Sequence, residues 1–114
     1  MAGRAEIRKV SLNLPRREIG NRMNYLRVRW VHEHTAEPIW LISEIDDDRW
    51  ETRKVEIFAD GSKGFAMNGE ERGETRLGLV PVPSIAEIAA DPQFLPEEIT
   101  KNEFEVVWNA RRST

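Results

Sequence analysis

Residues 40–61 read WLISEIDDDRWETRKVEIFADG, and their pattern sets the architecture. Ile39–Ile45 is apolar on both alternating faces for much of its length, as in a central strand covered on both sides. Asp46-Asp47-Asp48 follows, and aspartates tolerate turn geometries and bond their own backbone. Trp50–Phe58 is extended again, and Asp60-Gly61 is a second turn signal. The stretch therefore reads as two strands joined by an acidic turn, with another turn after them. A turn centred on Asp47-Asp48 sets Glu44 opposite Arg53, which predicts a cross-strand ion pair of structural role.

Outward from this hairpin the same period continues. In Tyr25–Val31, Leu26, Val28 and Trp30 point one way and Arg27 and Arg29 the other. His32–Glu37 interrupts the pattern. Downstream, Lys63–Asn68 is expected to be a short fourth strand, Gly69–Thr75 a polar loop, and Arg76–Val82 a fifth extended segment. Then the signals become helical. Ser84 and Glu87 have the spacing of a capping box, and so do Thr100 and Glu103. Ile99 and Phe104 are placed as a hydrophobic staple. Phe104, Val107, Trp108 and Arg111 share one helical face, which predicts packing of the three apolar members on the sheet. Strands first and helices last predict an α+β fold: an antiparallel β-meander of four to five strands with two C-terminal helices packed on one face.

With 114 residues, 39% apolar and 32% charged, the chain has the size and balance of one globular domain. No apolar run reaches membrane-spanning length, and no apolar run follows the basic N-terminal residues as in a secretory signal. There is no cysteine, which excludes disulfides, thiol nucleophiles and thiolate metal sites and fits a cytoplasmic location. Charge divides the chain. Residues 1–22 carry six basic and two acidic side chains; against the formal total of −3, this leaves −7 on residues 23–114. The expected organisation is a basic leader, 1–22, flexible or loosely docked, before a single domain, 23–114. A natural start at Met23, or an arm adding an edge strand through Ile7–Leu14, are alternative readings of the leader. An acidic body repels phosphate backbones and steers toward a basic partner.

Several blocks together resemble a known family. They are Trp30-Val31-His32, Ser43-Glu44-Ile45-Asp46, Arg53–Phe58 with Asp60-Gly61, and Glu103-Phe104-Glu105 followed by Trp108. Pro38, Leu77-Gly78, Pro81, Pro83, Ile85 and Phe94 add to them. The pattern resembles a family of small bacterial single-domain proteins described as a domain of unknown function, and it spans about residues 24–110. Such a resemblance brings no established activity. It implies a single cytoplasmic domain and associates the chain with accessory or immunity proteins of bacterial toxin systems.

The residues that carry chemistry are few. His32 and His34 project to one side of an extended segment, as two metal ligands would, and Glu37 or Glu44 could supply a third. That arrangement would suit a small metal-dependent hydrolase using His32, His34 and Glu44. Asp46–Asp48 lacks the glycine and distal glutamate of a calcium loop. Gly61-Ser62-Lys63-Gly64 lacks P-loop spacing, and no serine lies in a nucleophile elbow. Trp30 and Trp108 are expected in the core, while Trp40 and Trp50 flank the acidic turn. The reading is a non-catalytic, protein-binding domain without a cofactor, in its most concrete form an immunity-type antitoxin for a basic toxin. The predicted partner surface is Glu44, Asp46, Asp47, Asp48, Trp50 and Glu56. Nucleic-acid association through Arg27, Arg29 and the leader is the remaining alternative, and self-association through a free strand edge is open to the fold.

Overall fold

The computed structural model describes residues 22–113. All of the leader except Arg22 lies outside them. The described chain runs β1 (Asn24–Trp30), β2 (Trp40–Ile45), β3 (Glu51–Ile57), β4 (Lys63–Met67), β5 (Glu70–Arg72), α1 (Ile85–Ala89), β6 (Phe94–Ile99) and α2 (Lys101–Asn109). The strands form one sheet in the order β5-β4-β3-β2-β1-β6, and each neighbouring pair is antiparallel. Five strands thus follow as a meander. The chain then crosses over the sheet and lays its last strand on the free side of the first.

Cross-strand rows show how the period of two sorts side chains. Tyr25, Glu44, Arg53 and Met67 lie in one row, and Arg27, Ile42, Val55 and Phe65 in the next. Their face meets α2: Tyr25, Ile42, Val55, Phe65 and Ile99 form one buried cluster with Phe104 and Trp108. The opposite face carries Leu26, Val28 and Ile45, covered by Val82, Ile88 and Phe94 from the crossover and β6. Both helices begin with complete capping boxes, Ser84 with Glu87 and Thr100 with Glu103. Each satisfies two orphan amides at once.

Three expectations are corrected. The sheet has six strands rather than four or five. β6 contains Pro96 and two glutamates, a composition that argues against a central strand but is tolerated on an edge, where one side of the backbone needs no partner. β5 falls inside the segment expected to be a loop, and Arg76–Val82 is irregular instead of extended into the sheet. The helices do not share a face. Phe104 and Trp108 of α2 belong to one cluster, whereas Ile88 of α1 packs against the other. The cause is the crossover: α1 precedes the last strand and covers the face that the chain traverses to reach it.

The crossover is seated at Gly64. Thr75 is buried at 2% exposure, and its hydroxyl donates to Glu56 Oε1 at 2.7 Å. A Cβ on Gly64 would stand 2.2 Å from Thr75 Oγ1 and 3.1 Å from the Arg72 carbonyl oxygen. Glycine leaves the room in which the buried Thr75 side chain is seated against β4. Gly64→Ala is expected to destabilise the domain by about 1–3 kcal/mol through overpacking. Denaturant unfolding measures this, and an unchanged midpoint would show that the crossover is not pressed against β4.

Candidate functional site

Glu44 is an interior group, bound from three directions. Arg53 Nε donates to Glu44 Oε1 at 2.9 Å and Arg53 Nη2 to Oε2 at 2.7 Å. Thr52 Oγ1 donates to Oε1 at 2.7 Å and Tyr25 OH to Oε2 at 3.1 Å. Arg53 also reaches Glu105 of α2 at 2.7 Å, and its guanidinium lies 4.8 Å and 5.1 Å from the ring centres of Phe104 and Trp108. Burial pushes the Glu44 carboxyl pKa up, but the hydrogen bonds and charge of Arg53, with those of Thr52 and Tyr25, hold it below the usual value. The Tyr25 hydroxyl is raised by burial and by the Glu44 carboxylate beside it. The ion pair expected from the turn register is present, with Glu44 opposite Arg53 and a bulge directly after it.

Of the six residues expected to form a partner surface, Asp46, Asp47, Asp48 and Trp50 lie together at the hairpin tip, and Glu44 and Glu56 lie apart from them. Glu44 is enclosed beneath α2, while Glu56 is bound to Thr75 on the opposite face. Asp46 builds the turn: its Oδ1 accepts from the amides of Asp48 at 2.9 Å and Trp50 at 2.9 Å. Asp47 and Asp48 are exposed at the tip, and Trp50 is exposed beside them.

The structure adds neighbours to this tip that the sequence reading missed. Arg49 adopts a left-handed backbone, φ 71°, and its side chain reaches the crossover. Its Nε donates to the Val82 carbonyl at 3.1 Å and its Nη2 to that of Pro83 at 2.6 Å, while Val82 N–H donates to Arg49 O at 2.7 Å. Four residues earlier, Gly78 N–H donates to Glu51 Oε1 at 2.7 Å. The crossover is therefore pinned alongside residues 49–51 at both ends of a short arch. Leu79 and Val80 lie between the two pins, 89% and 67% exposed. The run Arg76–Val82 reads as an extended segment in sequence, which hid the exposure of these two residues.

Behind the ridge, the sheet and α1 enclose a groove of about 420 Å³. Leu26, Val28, Leu41, Val82, Ile88 and Phe94 give it apolar walls. Ser43, Glu51 and Lys54 also line it. Ser43 Oγ donates to Glu51 Oε2 at 2.9 Å, and Lys54 Nζ lies 3.0 Å from Glu51 Oε1 and 2.9 Å from the Arg76 carbonyl. The carboxylate is satisfied by its own neighbours, a placement that fixes the crossover.

The histidines serve their own loop. His32 Nε2 lies 2.8 Å from Pro38 O, and His34 N–H donates to His32 Nδ1 at 2.9 Å. These partners assign the proton to Nε2 and use both ring nitrogens. Among the described residues, no three His, Cys, Asp or Glu side chains are grouped to hold a metal. Arg27 is paired with Glu97, and both Arg27 and Arg29 lie over the Trp40 ring, at 5.9 Å and 5.3 Å.

Fold and site together define a small α+β domain: one antiparallel sheet, covered on both faces, with an acidic hairpin tip and an apolar ridge at one end. The chain belongs to the family described as a domain of unknown function, DUF6881, whose model matches residues 24–113. No curated protein and no solved structure matches it. Among the described residues, no helix is long and apolar enough to cross a membrane.

Glu44→Gln would leave Arg53 with Glu105 alone and is expected to cost about 2–3 kcal/mol, below the usual loss for a fully isolated buried charge. The pH dependence has a definite sign. Because the folded pKa of Glu44 is depressed, its contribution is present above the unfolded value near 4.5 and disappears as pH falls through the folded value. Unfolding free energies measured across this range should show a wild-type advantage over Glu44→Gln that shrinks on acidification. An advantage independent of pH would exclude the ionised pair.

Proposed function

We propose that this domain is a non-catalytic protein-binding module that recognises a basic protein through its hairpin tip and the adjoining ridge. Its immunity-type form is an antitoxin that blocks a basic toxin in the cytoplasm. The observation that carries the reading is the pinned arch: two large apolar residues are held out in solvent beside two free aspartates and an exposed tryptophan. Exposed apolar side chains have no stabilising role in an isolated domain, and their conformation here is already fixed by bonds at both ends. A partner can therefore bury them with little ordering cost. Aspartates at the rim and a net charge of −7 on residues 23–114 would mainly raise the association rate and set specificity. The candidate contacts are accordingly Asp47, Asp48, Trp50, Leu79 and Val80. Asp46 supports them by shaping the turn.

The test begins with capture of the partner by the full-length chain, followed by kinetics on the identified pair. Asp47→Lys with Asp48→Lys should slow association by about tenfold at low salt, and the difference should shrink as salt is added. Leu79→Ser with Val80→Ser should mainly raise the dissociation rate, by about tenfold or more. Asp46 is left intact because its loss would disturb the turn itself. A partner bound equally well by both double variants would overturn the assignment of this surface.

A further inference from the structure

We infer that the groove between the sheet and α1 receives one large apolar side chain of the partner, carried on a segment with lysine or arginine on either side of it. This rests on the protein-binding reading and names the part of the partner that this domain recognises. The groove measures about 420 Å³, within the ~300–1,000 Å³ range of sites that enclose small ligands, and it has room for an aromatic or long aliphatic side chain. Its walls come from the sheet through Leu26, Val28 and Leu41, and from the crossover through Val82 and Ile88. It opens onto the ridge, because Val80, 67% exposed, also lines it. A partner seated on Leu79 and Val80 therefore has the groove directly at its edge.

The charges on the lining select the flanking residues. Glu51 and Lys54 neutralise one another at 3.0 Å. Glu87 and Asp91, beside α1, make no ion pair among the described residues. Each commits one oxygen locally: Glu87 Oε1 accepts from Ser84 N–H at 2.9 Å and Asp91 Oδ1 from Gln93 N–H at 3.0 Å. Glu87 Oε2 and Asp91 Oδ2 have no partner of their own in the described chain, so a cationic side chain can pair with them without disturbing the helix cap. An apolar anchor between basic neighbours matches both halves of the site. It also matches the basic protein expected from the charge of the domain.

Random peptides displayed on phage and selected against the immobilised full-length chain test this directly. Enriched peptides are expected to share a Phe, Trp, Leu or Met with Lys or Arg within two positions on both sides. Resynthesised peptides should bind Leu41→Trp and Ile88→Trp at least about tenfold more weakly, since each fills the groove from a different wall. Circular dichroism and thermal unfolding establish that each variant is folded, and the pair guards against failure of one. Glu87→Gln with Asp91→Asn keeps the capping acceptors and should weaken binding by about threefold to tenfold, less at high salt. Enrichment of apolar peptides without basic flanks, full binding to both tryptophan variants, or no consensus would each overturn the proposal. So would concentration-dependent dimerisation abolished by Leu41→Trp, which would make a second copy the occupant. If the captured protein partner binds the tryptophan variants as it binds wild type but loses affinity for the ridge variants, the groove inference falls while the protein-binding reading stands.

Discussion

The pairing of Glu44 with Arg53 constrains almost everything around it. A carboxylate and a guanidinium in a sheet interior are costly unless both are fully bonded, and each is bonded here by groups that belong to different elements. Tyr25 brings in β1, Thr52 the bulge of β3, and Glu105 the helix α2. The aromatic rings of Phe104 and Trp108 cover the guanidinium, so the helix is positioned by charge and by stacking together. A one-residue slip of the hairpin would turn Arg53 to the other face and leave Glu44 alone beneath α2. The pair therefore contributes more to uniqueness of register than to net stability.

The opposite face is organised by a different device. There the crossover from β5 to β6 lies over the sheet, held by Thr75 against Gly64, by Gly78 on Glu51 and by Arg49 on Val82 and Pro83. These are mostly contacts between loop backbone and sheet side chains. They hold the loop without filling the space beneath it, so a groove and an exposed ridge remain. One face of this protein is a closed core and the other a surface with relief. The exposed ridge and the groove belong to the second, and the dense polar cluster of the first holds sheet and helix together.

The contrast explains what the sequence disclosed and what it concealed. The central hairpin, its register and both capping boxes were legible because each depends on residues close together: an aspartate turn, or a hydroxyl three positions before a glutamate. β6 was hidden because Pro96 and Glu97-Glu98 contradict strand propensity, and only its edge position makes them acceptable. The residues expected on one acidic surface are divided for a reason of parity. Glu44 lies opposite Arg53, and Glu56 is three residues beyond Arg53, so the period of two sets the two glutamates on opposite faces. Leu79 and Val80 looked like strand residues, since nothing local announces that bonds from residues 49 and 51 hold the chain clear of the sheet. The surface we propose keeps Asp47, Asp48 and Trp50 and adds Leu79 and Val80 from a segment roughly thirty residues away.

The position of β1 between β2 and β6 has a kinetic consequence. Its pairing with β2 needs only a short loop, whereas its pairing with β6 joins Tyr25 to Ile99 and Trp30 to Phe94, across most of the domain. Contacts of such separation form late, because the intervening chain must be ordered before they are rewarded. During synthesis the five-strand meander of the described residues can assemble while the side of β1 that receives β6 is still open. The edge that later receives β6 is then an unpaired, partly apolar strand, Leu26 and Val28 included, and the chain is most exposed to wrong pairing in that interval. Completion of the described sheet thus awaits the arrival of β6 and of α2 behind it, and until then β1 keeps an open side.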